Sequence, residues 1–291
     1  MRSSESLFFE LRGLRYHVRH WRGDPARRMV LLHGWMDVSA SFQFLVDAMS
    51  PDWDVYAPDW RGYGLSDWSG ADCYWFPDYI ADLDALLERI QPDAAVNLVG
   101  HSLGGNVAGL YAGVRPERVA RFVNLEGFGM PATRPEQAPR RYARWMEELR
   151  VQPKLRPYPS YAALADRLQQ NNSRLTRERA EFLARHWGKD TAEGGVVLRS
   201  DPAHKLVNAT LYRLDEARAC WDRVTAPVLW VDAAESETLK RMGLSAAEHA
   251  ARRGAFRNLR YVTVPDAGHM LHHDRPEPVA RLIEDFLRED A

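Results

Sequence analysis

The chain has 291 residues, 45% of them hydrophobic, with 39 Lys and Arg against 40 Asp and Glu. That length suits one principal domain carrying an insertion, and a balanced charge without a basic tract excludes the field that would recruit nucleic acid. No apolar run approaches transmembrane length, the first ten residues lack a signal-peptide core, and two cysteines, Cys73 and Cys220, are too few for a disulfide framework or a zinc site, so a reducing, cytoplasmic setting is expected.

Residues 7–11 and 16–21 predict two leading strands that pair as an antiparallel edge. The apolar run 29–32 reads as a buried strand ending at the sheet edge on His33-Gly34-Trp35-Met36-Asp37. Phe42, Leu45, Val46 and Met49 then mark one helical face. A strand at 53–57 precedes the turn Asp59-Trp60-Arg61-Gly62-Tyr63-Gly64-Leu65-Ser66, in which Asp59 and Arg61 are expected to satisfy backbone groups or each other. Ile80, Leu83, Leu86, Leu87 and Ile90 mark the next helix.

The run 96–99 leads into Gly100-His101-Ser102-Leu103-Gly104-Gly105 and then a helix. A strand-to-helix turn this tight forces the serine toward φ > 0, and the missing side chains at Gly100 and Gly104 leave room for it. The result is an exposed hydroxyl at a helix N-terminus, where the Leu103 N–H and the helix dipole favour a developing oxyanion.

A strand at 122–125 ends on Glu126-Gly127-Phe128. From 127 to 225 strand signals disappear and helical segments at 138–149, 161–169 and 177–186 take over, broken by the proline-rich stretch 153–159 and by Asn171-Asn172-Ser173, a turn or cap. This insertion carries 18 Lys and Arg against 12 Asp and Glu. Such a surplus can draw an anionic substrate toward a cleft, but arginine-rich solvated helix faces explain it at least as well and are the favoured reading. Its Met130, Trp145, Met146, Phe182 and Trp187 either line a pocket or pack the insertion's own core.

The run 227–231 is followed by Asp232-Ala233-Ala234-Glu235-Ser236-Glu237, and the strand 259–264 by Pro265-Asp266-Ala267-Gly268-His269-Met270. Val279, Leu282, Ile283, Phe286 and Leu287 give a terminal amphipathic helix. His269, His272 and His273 stand at i, i+3, i+4 beside Asp274. They lie at a loop-to-helix transition without an H-E-x-x-H pattern, so no metal and no cofactor is expected, and His272 and His273 read as wall or surface residues.

Alternating strands and helices predict an α/β fold with a mostly parallel sheet and helices on both faces. The serine elbow, the His33 loop, the D-x-R-G-x-G-x-S turn and the Gly268-His269 pair together resemble the α/β-hydrolase family, whose triad runs nucleophile, acid, histidine along the chain. That resemblance implies eight strands, a core of 1–126 and 226–291, and a helical lid at 127–225 inserted after the sixth strand. It also implies Ser102 as nucleophile, His269 as base, and the Trp35 and Leu103 amides as oxyanion hole.

The acid must sit at the C-terminal end of a neighbouring strand. Glu235 occupies the family's usual location and is favoured, with Glu237 available if that loop is shifted. Glu126 is the rival, because some haloalkane dehalogenases of this fold carry their acid after the earlier strand. Those enzymes and the related epoxide hydrolases use an aspartate nucleophile, so serine at 102 favours acyl transfer. A small-molecule carboxylic ester is the expected substrate; a thioesterase, a lactonase, a carbon–carbon bond hydrolase and a non-catalytic ligand receptor are the alternatives.

Overall fold

A computed structural model describes residues 1–151 and 153–289. Among the described residues ten strands form in chain order: β1 (Glu5–Leu11), β2 (Leu14–Trp21), β3 (Asp24–Leu32), β4 (Trp53–Pro58), β5 (Val96–His101), β6 (Val119–Leu125), β7 (Gly188–Asp190), β8 (Val196–Leu198), β9 (Val228–Ala233) and β10 (Leu259–Val264). Eight of them make one sheet in the order β1-β2-β4-β3-β5-β6-β9-β10. As the sequence predicts, β1 and β2 are antiparallel to their neighbours and the other pairs are parallel.

The central strands are apolar on both faces because helices cover both. Leu98 of β5 faces a cluster built with Leu83, Val107 and Tyr111, whereas Val99 faces one built with Leu45, Val279 and Ile283. The parallel register carries the C-terminal ends of β3, β5, β6, β9 and β10 to one edge, so that His33, Ser102, Glu126, Glu235 and His269 emerge from neighbouring loops there.

Between β6 and β9 the chain forms helices Ala138–Val151, Tyr161–Asn171 and Arg177–Trp187, each near its predicted span. Ser160 and Thr176 cap the latter two, accepting from the N–H groups of Ala163 and Arg179. This region has its own small core of Leu164, Leu168, Leu175 and Leu183, against which Phe44 of the sheet domain packs.

Two features depart from the expectation of a purely helical insertion. β7 and β8 form an antiparallel hairpin extended by Tyr158, whose N–H and C=O both bond Val196. Strands of three residues are too short to show a periodicity. The helix Leu214–Trp221 packs on the sheet domain instead, with Ala217 and Trp221 joining its core.

Candidate active site

Ser102 sits at φ 52°, ψ −113°, between the last residue of β5 and the helix Leu103–Val114. The two flanking glycines serve different clearances. A Cβ on Gly100 would strike the Gly104 backbone, and one on Gly104 would strike the Leu32 carbonyl at the end of β3. Gly34 crosses close behind, where an added Cβ would meet Ser102 Cβ at 3.3 Å and His101 Nδ1 at 3.0 Å.

The Ser102 hydroxyl lies 3.1 Å from His269 Nε2, and the other ring nitrogen, Nδ1, lies 3.1 Å from Glu126 Oε2. With Glu126 ionised, Nδ1–H must donate to the carboxylate, which leaves Nε2 as acceptor for the Ser102 O–H. The Glu126 side chain is wholly buried and its backbone takes φ 58°. Such burial is costly for an isolated carboxylate, but this one also accepts from the Ala233 N–H at 2.7 Å and from the Ser236 hydroxyl.

Glu235, favoured on the sequence, does not meet His269. Its backbone N–H bonds the Ala267 carbonyl, but its half-exposed side chain turns outward to pair with Arg174 of the insertion. Glu237 is exposed and pairs with Lys240 at 3.2 Å. The geometry therefore brings together Ser102, His269 and Glu126, and separates Glu235 and Glu237 from them. Ser236, one residue beyond Glu235, escaped the sequence reading because nothing in the chain signals that its hydroxyl reaches the tip of β6.

Leu103 opens its helix, so its N–H has no intrahelical acceptor, and the residue lines the same cavity as Ser102. Trp35 borders that cavity too, and its indole N–H donates to the His204 carbonyl at 3.2 Å, tying the His33 loop to the insertion. The cavity holds about 620 Å³ and is walled mainly by aromatic and aliphatic groups, including Tyr74, Trp75, Met130 and Leu206. Of the insertion's large apolar residues, Met130 lines this cavity, whereas Phe182 and Trp187 pack the insertion's own core.

The Asp59–Ser66 turn does architectural work. Asp59 and Arg61 do not pair with each other: Asp59 accepts from His17 Nδ1 at 2.7 Å and from the N–H groups of Ser39 and Leu65, while Arg61 grips Asp82 through two nitrogens. Burial drives the Asp59 pKa up, but the His17 hydrogen bond and charge outweigh it and leave the group below its ordinary value. The insertion docks on this turn, with Gly64 N–H bonding Arg199 O at 2.8 Å and Asp201 N–H bonding Gly62 O at 2.7 Å. His204 stacks between Tyr63 and Tyr74, each ring centroid 3.8 Å away.

The histidines after His269 are buried, not on the surface, and turn to the Ser41 hydroxyl, His272 at 3.2 Å and His273 at 2.5 Å. Asp274 instead accepts from the Gly268 N–H and from Asn172 of the insertion. A different set, Asp37, His101 and His272, brings one potential ligand atom from each residue within 4.8 Å of the others. Burial pushes Asp37 up to about 7 and both histidines well below their ordinary value. Asp37 Oδ2, His101 Nδ1 and His272 Nδ1 are each buried without a hydrogen-bond partner among the described residues. His101 Nε2–H donates to the His269 carbonyl at 2.8 Å, so this cluster abuts the loop that carries the base.

The sequence profile described as alpha/beta hydrolase fold matches residues 27–276. The chain is 28% identical to a serine hydrolase-like protein of Danio rerio over 96% of this chain and 85% of that protein. It is 28% identical to a 3-hydroxybutyrate-oligomer hydrolase of Cupriavidus necator over 88% of each. Among solved structures, the thioesterase domain from the curacin biosynthetic pathway superposes with a TM-score of 0.86 at 23% identity, over 97% of this chain and 99% of that one. A match covering most of the chain, on a sheet of this topology with a strained serine at the tip of β5, makes this protein a member of the alpha/beta hydrolase fold family.

Proposed function

We propose that the protein is a serine hydrolase that cleaves a carboxylic ester through an acyl-enzyme, with Ser102 as nucleophile, His269 as base and Glu126 as acid. The observation that carries this reading is the unbroken chain of contacts Glu126–His269–Ser102, ending on a serine held at positive φ beside an apolar cavity.

In the proposed cycle, His269 Nε2 takes the hydroxyl proton as Ser102 Oγ attacks the ester carbonyl, and Glu126 stabilises the imidazolium. The Trp35 and Leu103 amides receive the oxyanion. Collapse of the tetrahedral intermediate breaks the bond to the alcohol oxygen, which takes the proton from His269. Water, deprotonated by the same histidine, then releases the acid and restores Ser102. The 3-hydroxybutyrate-oligomer hydrolase among the relatives supports an ester substrate, and a serine hydrolase-like relative supports the nucleophile.

A fluorophosphonate probe tests the reading directly. The folded wild-type chain is expected to label stoichiometrically and Ser102→Ala not at all; an unlabelled wild type, or equal labelling of both, overturns it.

A further inference from the structure

The cavity beside Ser102 is uneven in charge. Among the described residues its charged lining groups are two arginines, Arg141 from the helix Ala138–Val151 and Arg241 from the short helix after β9, and no described carboxylate lines it. Three of the acids close by in sequence or space are committed elsewhere. Glu148 pairs with Arg144 and accepts from the Val207 N–H, Glu237 pairs with Lys240, and Glu235 pairs with Arg174. Arg141 gives one hydrogen bond to the Asn208 carbonyl at 3.1 Å, and among the described residues neither Arg141 nor Arg241 has a carboxylate within ion-pair distance. Arg141 also borders a second cavity of about 460 Å³, to which Arg140, Arg144 and the acidic Glu136 contribute.

A guanidinium against an apolar wall keeps several N–H donors unused, in a fork that fits a carboxylate. On the hydrolase reading of Ser102, we propose that the substrate carries a free carboxylate at the end remote from the scissile ester, held by Arg141 and Arg241, as in a monoester of a dicarboxylic acid. The aromatic walls then take the chain between the two ends. The arginine surplus of the insertion raises the local concentration of such an anion before it docks.

The test uses two probes that differ only at the remote end: mono-p-nitrophenyl adipate and its methyl ester. Wild type is expected to favour the free acid at least tenfold in kcat/KM at low ionic strength, mainly through KM, with the preference shrinking as salt is added. The double variant Arg141→Gln, Arg241→Gln should lose that preference, and Arg→Lys at both positions should keep part of it. Equal rates on both probes, or a preference that survives in the Gln double variant, overturns the proposal. If neither probe is hydrolysed, the ester reading fails on its own, and calorimetric binding of adipate then decides: binding to wild type that is lost in the double variant retains the anion site, and no binding to wild type overturns it.

Discussion

At the residue scale the assignment turns on which of two carboxylates meets His269. Glu126 and Glu235 both follow apolar strands, and a strand tip was as much as the chain could specify. The outcome depends on a backbone detail: φ 58° at Glu126 turns its side chain inward, where Ala233 N–H and Ser236 hydroxyl await it, while Glu235 finds Arg174 in solvent. Glu126→Gln should therefore lower kcat on a p-nitrophenyl ester by about 10⁴, the scale on which a triad histidine suffers when its acid is neutralised. Glu235→Gln should cost little, since exposed ion pairs contribute at most about 1 kcal/mol. Steady-state kinetics on the two variants checks this, and the opposite ranking would move the acid to Glu235. Ser102 and His269 were legible because each stands in a glycine-bearing motif that backbone geometry requires; Ser236, Arg141 and Arg241 stand in none.

At the element scale the helix Leu103–Val114 shows how finely the sheet constrains what lies on it. Gly104 and Gly109 share that helix but have opposite surroundings. A methyl on Gly104 meets the Leu32 backbone, which cannot yield, whereas one on Gly109 meets Trp221, Phe122 and Phe256 at 3.4–3.6 Å, ordinary contact distance. Gly104→Ala is expected to destabilise by about 1–3 kcal/mol or more through overpacking. Gly109→Ala should be neutral or stabilising, because alanine is favoured over glycine in a helix interior by roughly 0.5–1 kcal/mol. Urea midpoints at unchanged m-value distinguish the two, and equal losses would contradict the packing described. The strands and helices of the sheet domain were legible from long apolar periodicities. The β7–β8 hairpin was not, because its pairing depends on Tyr158 returning across the proline-rich stretch to Val196.

At the scale of the whole molecule the buried histidines set the response to acid. Burial lowers His33 to about 4 and His204 and His273 to about 3, and holds His101 and His272 well below their ordinary value. Below pH 6.5 the unfolded chain binds protons that the folded chain refuses, so this contribution to stability is complete above 6.5 and drains away as pH falls toward 4. Asp37 acts oppositely. Its pKa is raised to about 7, so the folded state holds a proton that the unfolded state releases above about 3.8, and its contribution declines as pH rises through that window. Five histidines outweigh one carboxyl, and the thermal midpoint is expected to fall steadily from pH 6.5 to 4.5. A midpoint that stays level over that range would show that these rings are not buried neutral. Fold class followed from the alternation of elements alone. The polar cluster of Asp37, His101 and His272 did not, since it gathers from a loop, the end of a strand and a short helix far apart in the chain.

Ser102 and Glu126 both hold left-handed backbone although neither is glycine. Each such residue costs of order 1–3 kcal/mol, held in place by the surrounding structure. On the proposed mechanism, selection for turnover and selection for persistence pull in opposite directions at Ser102, but not at Glu126, whose carboxylate also satisfies the buried Ala233 N–H. In a lineage released from the demand for catalysis, glycine would spread at position 102, and the loss of function would be recorded as a gain in durability.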